Sequence, residues 1–104
     1  MRRGEVWWAR MPEPSGRRPV VLVSRQPAYA LRASITVAEV SRTVRGIASE
    51  VALGKREGLL RSCAANADNL VTIPKIWLEE QISILPPDKL AALDEALKFS
   101  LGLR

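Results

Sequence analysis

Short apolar runs cut by Pro and Gly fill most of the chain, and only its end carries a helical repeat. Gly4 to Arg10 holds Val6, Trp7, Trp8 and Ala9. It stops at Met11-Pro12-Glu13-Pro14-Ser15-Gly16, where two prolines and a glycine force the backbone out of a ladder. Pro19 to Ser24 is almost unbroken Val-Val-Leu-Val, the pattern of a strand buried on both faces, with proline tolerated at its first position. Pro27 to Arg32 reads as a connection. Ser34 to Ser41 has period 2, with Ile35, Val37, Glu39 and Ser41 on one side and Thr36, Ala38 and Val40 on the other. After the turn-like basic segment Arg42 to Gly46, Ile47 to Leu53 alternates again, so the two segments read as a hairpin.

Gly54 to Arg61 is polar and reads as a loop or a single helical turn. Cys63 to Ile73 is another strand, with a bend expected at Asp68-Asn69, two residues disfavoured within regular strands. Pro74 to Leu78 fits no single pattern, and Glu80 to Leu85 reads as a short strand. The last segment differs: Leu90, Leu93, Leu97 and Leu101 recur at spacings of three and four, and Pro87 with Asp88 suits a first helical turn. A helix is expected over Pro87–Leu101, with Gly102 as its stop. Five to seven short strands and one terminal helix imply a mainly β fold with a small α part. The sheet should be strongly bent or partly closed, because a flat one this small would leave its edges unprotected.

At 104 residues the chain is expected to be one domain over 1–104, with a partner subunit a plausible source of added stability. The longest uncharged stretch is Gln81 to Pro87, far short of the about 20 apolar residues of a membrane span. The start Met-Arg-Arg-Gly-Glu lacks a signal peptide's apolar core and Cys63 stands alone, so a cytoplasmic protein is expected. The absence of histidine and the single cysteine argue against a zinc site and against Cys-His or Ser-His catalysis, and no metal or other cofactor is expected. Net charge is +5, distributed unevenly: residues 1–62 carry 12 Lys and Arg against 5 Asp and Glu, residues 63–104 carry 4 against 6. Twelve of the basic residues are Arg, whose planar fork grips phosphate and stacks on bases, which favours a nucleic acid over a membrane surface as partner.

Four blocks stand in a telling order: Arg3-Gly4-Glu5-Val6-Trp7; Gly16-Arg17-Arg18-Pro19 leading into Val20 to Ser24; Val40-Ser41-Arg42-Thr43-Val44-Arg45-Gly46 followed by Ser49-Glu50-Val51; and Ile82 to Leu85 with the closing leucine-rich segment. Together they cover nearly the whole chain, and the sequence resembles the MazF/PemK family of toxins. The resemblance implies an SH3-like barrel of the MazF/CcdB type with a C-terminal helix, and a homodimer. It also implies a metal-independent, sequence-specific endoribonuclease, held inactive by a cognate antitoxin protein and acting on messenger, transfer or ribosomal RNA. Such enzymes use the ribose 2′-OH of the substrate as nucleophile, which suits a chain without histidine, since the protein then supplies alignment and positive charge.

By the same resemblance the catalytic arginine ahead of the strand-opening proline falls on Arg18, and the second catalytic position, usually Thr, falls on Ser41. A guanidinium is a poor proton donor but binds two phosphorane oxygens at once. Thr43 is the reserve hydroxyl; Arg17, Arg42 and Arg45 are candidate RNA contacts. Glu39 faces the same way as Ser41 and is either a base or, more simply, an ion-pair partner for an arginine. Asp68-Asn69 stands where the commoner family pattern has Glu-Gln, making Asn69 either a base-reading amide or the cap of a bend. Trp7 and Trp8 must point to opposite faces, so one enters the core while the other is free to stack on a base or fill a dimer interface; parity does not say which, and Trp8 is taken as the candidate RNA contact. Trp77 and Phe99 are assigned to core or interface, Cys63 to the buried apolar set. Two other readings compete: a non-catalytic SH3-like RNA-binding module, and a same-fold toxin that poisons DNA gyrase. The latter works through a C-terminal Trp that the tail Ser100 to Arg104 lacks.

Overall fold

Six antiparallel strands form one sheet in the computed structural model, which describes every residue from Met1 to Arg104. In chain order they are β1 (Glu5–Arg10), β2 (Arg17–Leu22), β3 (Ser34–Ser41), β4 (Glu50–Leu53), β5 (Cys63–Pro74) and β6 (Leu78–Ile84). A short helix α1 (Ala28–Leu31) joins β2 to β3, and a long helix α2 (Pro87–Leu101) follows β6. Across the sheet the order is β4-β5-β3-β2-β1-β6, so β2 and β3 are central and the first strand pairs with the last.

Each face of the sheet buries its own core. One holds Val6, Val21, Val40, Val51 and Leu53 under Leu93 and Ala96 of α2; the other holds Ala9, Val20, Leu22, Ile35, Val37 and Ile73 with Met11 and Tyr29. Adjacent Val20 and Val21 enter opposite cores and are both wholly buried, as the unbroken apolar run of β2 demands. Each such side chain contributes about 1.5–3 kcal/mol. Tyr29 closes the second core, its hydroxyl donating to the Ser24 carbonyl at 3.0 Å, and burial pushes its pKa up to about 12.

Helix α2 spans the expected residues. Its first turn is tied down by a two-pronged bond from Arg56 to Asp88, at 2.9 and 3.0 Å, which also holds the Asp88 carboxyl below its ordinary range. It stops at Gly102, in the left-handed region at φ +70°, where the N–H groups of Gly102 and Leu103 turn back to the carbonyls of Phe99 and Lys98. No helix is long and apolar enough to cross a membrane.

The expected hairpin of Ser34–Ser41 with Ile47–Leu53 does not form, because β5 runs between β3 and β4 and pairs with both. The eight residues from Arg42 to Ser49 are too many for a tight hairpin turn, and β3, apolar on both faces, needs full-length neighbours that the twelve-residue β5 provides. Strand β4 is accordingly only Glu50–Leu53, and a Glu50 carboxylate oxygen accepts the N–H groups of Arg45 and Gly46, each at 2.9 Å. The bend expected at Asp68-Asn69 is present as a bulge: Ala38 pairs with Leu70 but Glu39 with Asn66, leaving Ala67, Asp68 and Asn69 unopposed on β3. Asn66 accepts the Asp68 N–H at 2.8 Å and Ser49 accepts that of Ala67 at 2.8 Å. The Pro27–Arg32 connection coils into α1, Lys55–Glu57 is the single 3₁₀ turn allowed for its segment, and a second such turn forms at Lys75–Trp77.

Candidate active site

Strands β2 and β3 pair only from Val20 with Glu39 to Leu22 with Val37, and beyond Glu39 they part. The parting coincides with the bulge in β5, which begins at the Ala38–Glu39 step. Carried two residues further, the same register sets Ser41 across from Arg18. Into this gap opens a cleft of roughly 570 Å³, built from Arg17, Arg18 and Pro19 of β2, Val40 to Thr43, the loop Gly58 to Arg61, and Trp8, Ser15 and Cys63. Four arginines line it and no carboxylate does, so it suits a polyanion.

The Arg18 guanidinium donates no hydrogen bond within the protein, and its Nε is buried without a partner. The nearest carboxylate, Glu39 Oε1, lies 3.8 Å from a terminal nitrogen, close enough to attract but too far to bond. The guanidinium thus lies beside Glu39 with its donors unspent, and Glu39 is its ion-pair neighbour. Ser41 accepts the Thr43 N–H at 3.1 Å, which fixes the turn leaving β3 and keeps the hydroxyl proton free to donate into the cleft. Thr43 and Arg42 line the same wall.

Trp8 is the tryptophan of the cleft; Trp7 turns to the second core and donates its ring N–H to Glu5 at 2.9 Å. Arg17 lies over the Trp8 ring, 4.4 Å from its centroid, and bonds Glu79 at 2.8 Å, which holds that carboxyl below its ordinary range. Cys63 is buried at the cleft wall, and burial, reinforced by the charge of Glu57, pushes its thiol up and leaves it a neutral packing group. Trp77 packs against the second core, whereas Phe99 is 64% exposed on α2 and so is no core residue.

Two of the residues grouped here by sequence lie outside the cleft lining. Arg45 belongs to the far half of the connection, which folds toward Glu50, so only Arg42 and Thr43 of that segment face the cleft. Asn69 sits in the β5 bulge, whose Asp68 accepts the Ser100 hydroxyl of α2 at 2.7 Å; its amide does not join Arg18, and the side chain that caps the bend is that of Asn66, which accepts the Asp68 N–H. Conversely, Arg61 and Ser15 were not expected. Neither Arg42 nor Arg61 takes part in an ion pair, leaving two free cations on the cleft rim. Arg61 is delivered by a turn at Gly58, whose φ of +84° and whose place against Ile82, 3.0 Å from where a Cβ would stand, favour glycine and would strain any side chain.

Comparison with known proteins agrees with this geometry. Residues 2–101 match the family described as PemK-like, MazF-like toxin of type II toxin-antitoxin system. A probable endoribonuclease MazF2 of Mycobacterium tuberculosis is 36% identical over 103 residues, covering 98% of this chain and 99% of that protein. The endoribonuclease MazF3 of the same species is 36% identical over 86 residues, 83% of this chain and 84% of its own. Among solved structures, the Mycobacterium tuberculosis toxin MazF-mt6 superimposes with a TM-score of 0.88 at 31% identity, over 96% of this chain and 98% of that one. An endoribonuclease in complex with its cognate antitoxin from a mycobacterial species gives 0.87 at 27% identity, over 100% and 97%.

Proposed function

Because the chain belongs to the PemK-like, MazF-like toxins of type II toxin-antitoxin systems, we propose that it is an endoribonuclease toxin whose cleft around Arg18 and Ser41 cuts single-stranded RNA. The observation that carries the site assignment is Arg18, a guanidinium beside Glu39 with every donor unspent and a hydroxyl across from it. In the reaction the ribose 2′-OH gives up its proton and attacks the adjacent phosphorus. The P–O5′ bond breaks, the leaving 5′ oxygen takes up a proton, and a 2′,3′-cyclic phosphate and a 5′-hydroxyl end remain. Charge builds on the equatorial phosphorane oxygens, where Arg18 bonds two of them in parallel and needs no rearrangement to do so. The Ser41 proton orients the 2′ oxygen or a phosphate oxygen, and Arg42 and Arg61 bind flanking phosphates. DNA lacks the nucleophile and is bound but not cut.

The chain acts as one domain over 1–104, in the cytoplasm, as a homodimer neutralised by its cognate antitoxin. The exposed Phe99, Leu101 and Leu103 at the end of α2 support an assembly larger than one chain. Incubation of the purified protein with total RNA in EDTA, followed by sequencing of the 5′ ends, tests the reading. Ends should carry 5′-hydroxyls and cluster at one short motif. Cleavage that EDTA abolishes, or binding without cleavage, would overturn it; the second result is what a pure RNA-binding module gives.

A further inference from the structure

The aromatic wall of the cleft is not bare. Trp8 faces Pro19 across β1 and β2, and Arg17, two residues before Pro19, is its diagonal neighbour on the same face. On the other side of β1 the pairing with β6 sets Glu80 opposite Trp8. The guanidinium of Arg17 rests on the indole at 4.4 Å and is held by its edge: Nε bonds Glu79 Oε1 at 2.8 Å and a terminal nitrogen lies 3.6 Å from Glu80. The second oxygen of Glu79 accepts from Arg10 Nε at 3.4 Å, which stops the carboxylate from turning away.

A guanidinium held by its edge keeps two flat faces. One covers Trp8; with the side chain 38% exposed, the other is open to the cleft mouth. Arg42 and Arg61 have no acidic partner, so a phosphate finds unopposed cations there, whereas at Arg17 it meets the charge of Glu79 and Glu80. A neutral, flat group is favoured instead, and a nucleobase is both. Guanidinium planes and indole rings stack on any base, whatever its hydrogen-bonding edge.

We propose that Trp8, Arg17 and Glu79 form a nucleobase subsite in which a base flanking the scissile phosphate stacks on the open face of Arg17, with Trp8 backing the cation and Glu79 orienting it. The subsite rests on the ribonuclease reading above. Glu79 is a positioning residue that touches no substrate. Arg17→Lys keeps the charge and discards the plane, and Glu79→Gln leaves Arg17 intact but unlatched.

The probes are an RNA dodecamer spanning a cut site mapped for this protein and its derivatives with a single abasic nucleotide at each position within three of the cut. With wild-type protein, one abasic position should raise KM about tenfold, the worth of one stacked base, and change kcat less than twofold. Arg17→Lys should raise KM for the intact dodecamer by about the same factor and Glu79→Gln by about threefold, and neither should add to the loss at that abasic position. Arg17→Lys with wild-type KM, or losses that multiply at every abasic position, overturns the subsite while leaving the nuclease standing. A wild-type protein that cuts no RNA sinks the ribonuclease reading and the subsite with it.

Discussion

Replacing Arg18 separates catalysis from folding more cleanly than any other change in the molecule. Arg18→Met keeps the unbranched stem and removes a guanidinium that makes no hydrogen bond inside the protein and whose Nε is buried unpaired. An unpaired buried donor costs about 1–3 kcal/mol, so the variant should be as stable as the wild type or more stable by about 1 kcal/mol. Only the 3.8 Å attraction to Glu39 is lost, a half-exposed pair of small worth. In the transition state two charge-assisted bonds vanish, at about 1.5–3 kcal/mol each, which is about 10²- to 10⁴-fold in rate. Arg18→Lys, a point charge able to serve one oxygen well, should fall about 10²-fold. Single-turnover cleavage of a fluorescent RNA gives the rates, urea unfolding gives the stability, and affinity for a dodecamer with a 2′-deoxyribose at the cut should stay within about threefold. Retention of a tenth or more of the rate by Arg18→Met would refute this account, as would a loss of 2 kcal/mol or more in stability.

Ser41→Ala should lower kcat about tenfold, one hydrogen bond's worth, and Ser41→Thr should restore it; an unaffected Ser41→Ala excludes the hydroxyl from the reaction. Arg61→Gln should raise KM while leaving kcat, and should flatten the dependence of log affinity on log salt by about 0.7, one phosphate on a single strand; an unchanged slope removes Arg61 from the interface. Gly58→Ala forces a Cβ into a left-handed conformation and against Ile82, so a loss of about 2 kcal/mol is expected in urea unfolding, and a neutral result contradicts the turn geometry. Tyr29, the single tyrosine, should titrate by absorbance with a midpoint near 12 rather than 10.0. Because the unfolded chain then loses its phenolic proton first, stability should decline as pH rises from roughly 10 toward 12, and a midpoint of ordinary value counts against its burial.

What the sequence disclosed followed the range of the forces involved. Helix α2 was legible to the residue because its leucine spacing, its Pro87 and Asp88 start and its Gly102 stop are all local. Burial of β2 on both faces was likewise written in Val20 to Val23. Strand partnership was not: alternation tells which side chains share a face and says nothing about which strand lies alongside, so β3 and β4 looked like a hairpin until β5 was found between them. The bend at Asp68-Asn69 was visible as poor strand formers, but its effect, the parting of β2 from β3 that opens the cleft, depends on three strands at once. Arg18, Ser41, Arg17, Arg42, Thr43 and Trp8 converge as the motif order suggested. Arg61 carried no local mark, being one cation in a polar loop, and Arg45, close in sequence to Arg42 and Thr43, lies outside the cleft lining where its backbone bonds Glu50.

The pairing of the first strand with the last bears on how such a chain is made. Strand β2, which carries Arg17 and Arg18, is flanked by β1, and β1 has a bare edge until Leu78–Ile84 has been synthesised. Glu79, the latch on Arg17, arrives in that same final strand. Until Leu78–Ile84 has zipped onto β1, the edge of the Arg17 guanidinium has no Glu79 to hold it, so the cleft mouth takes its final form only when the sheet gains its sixth strand.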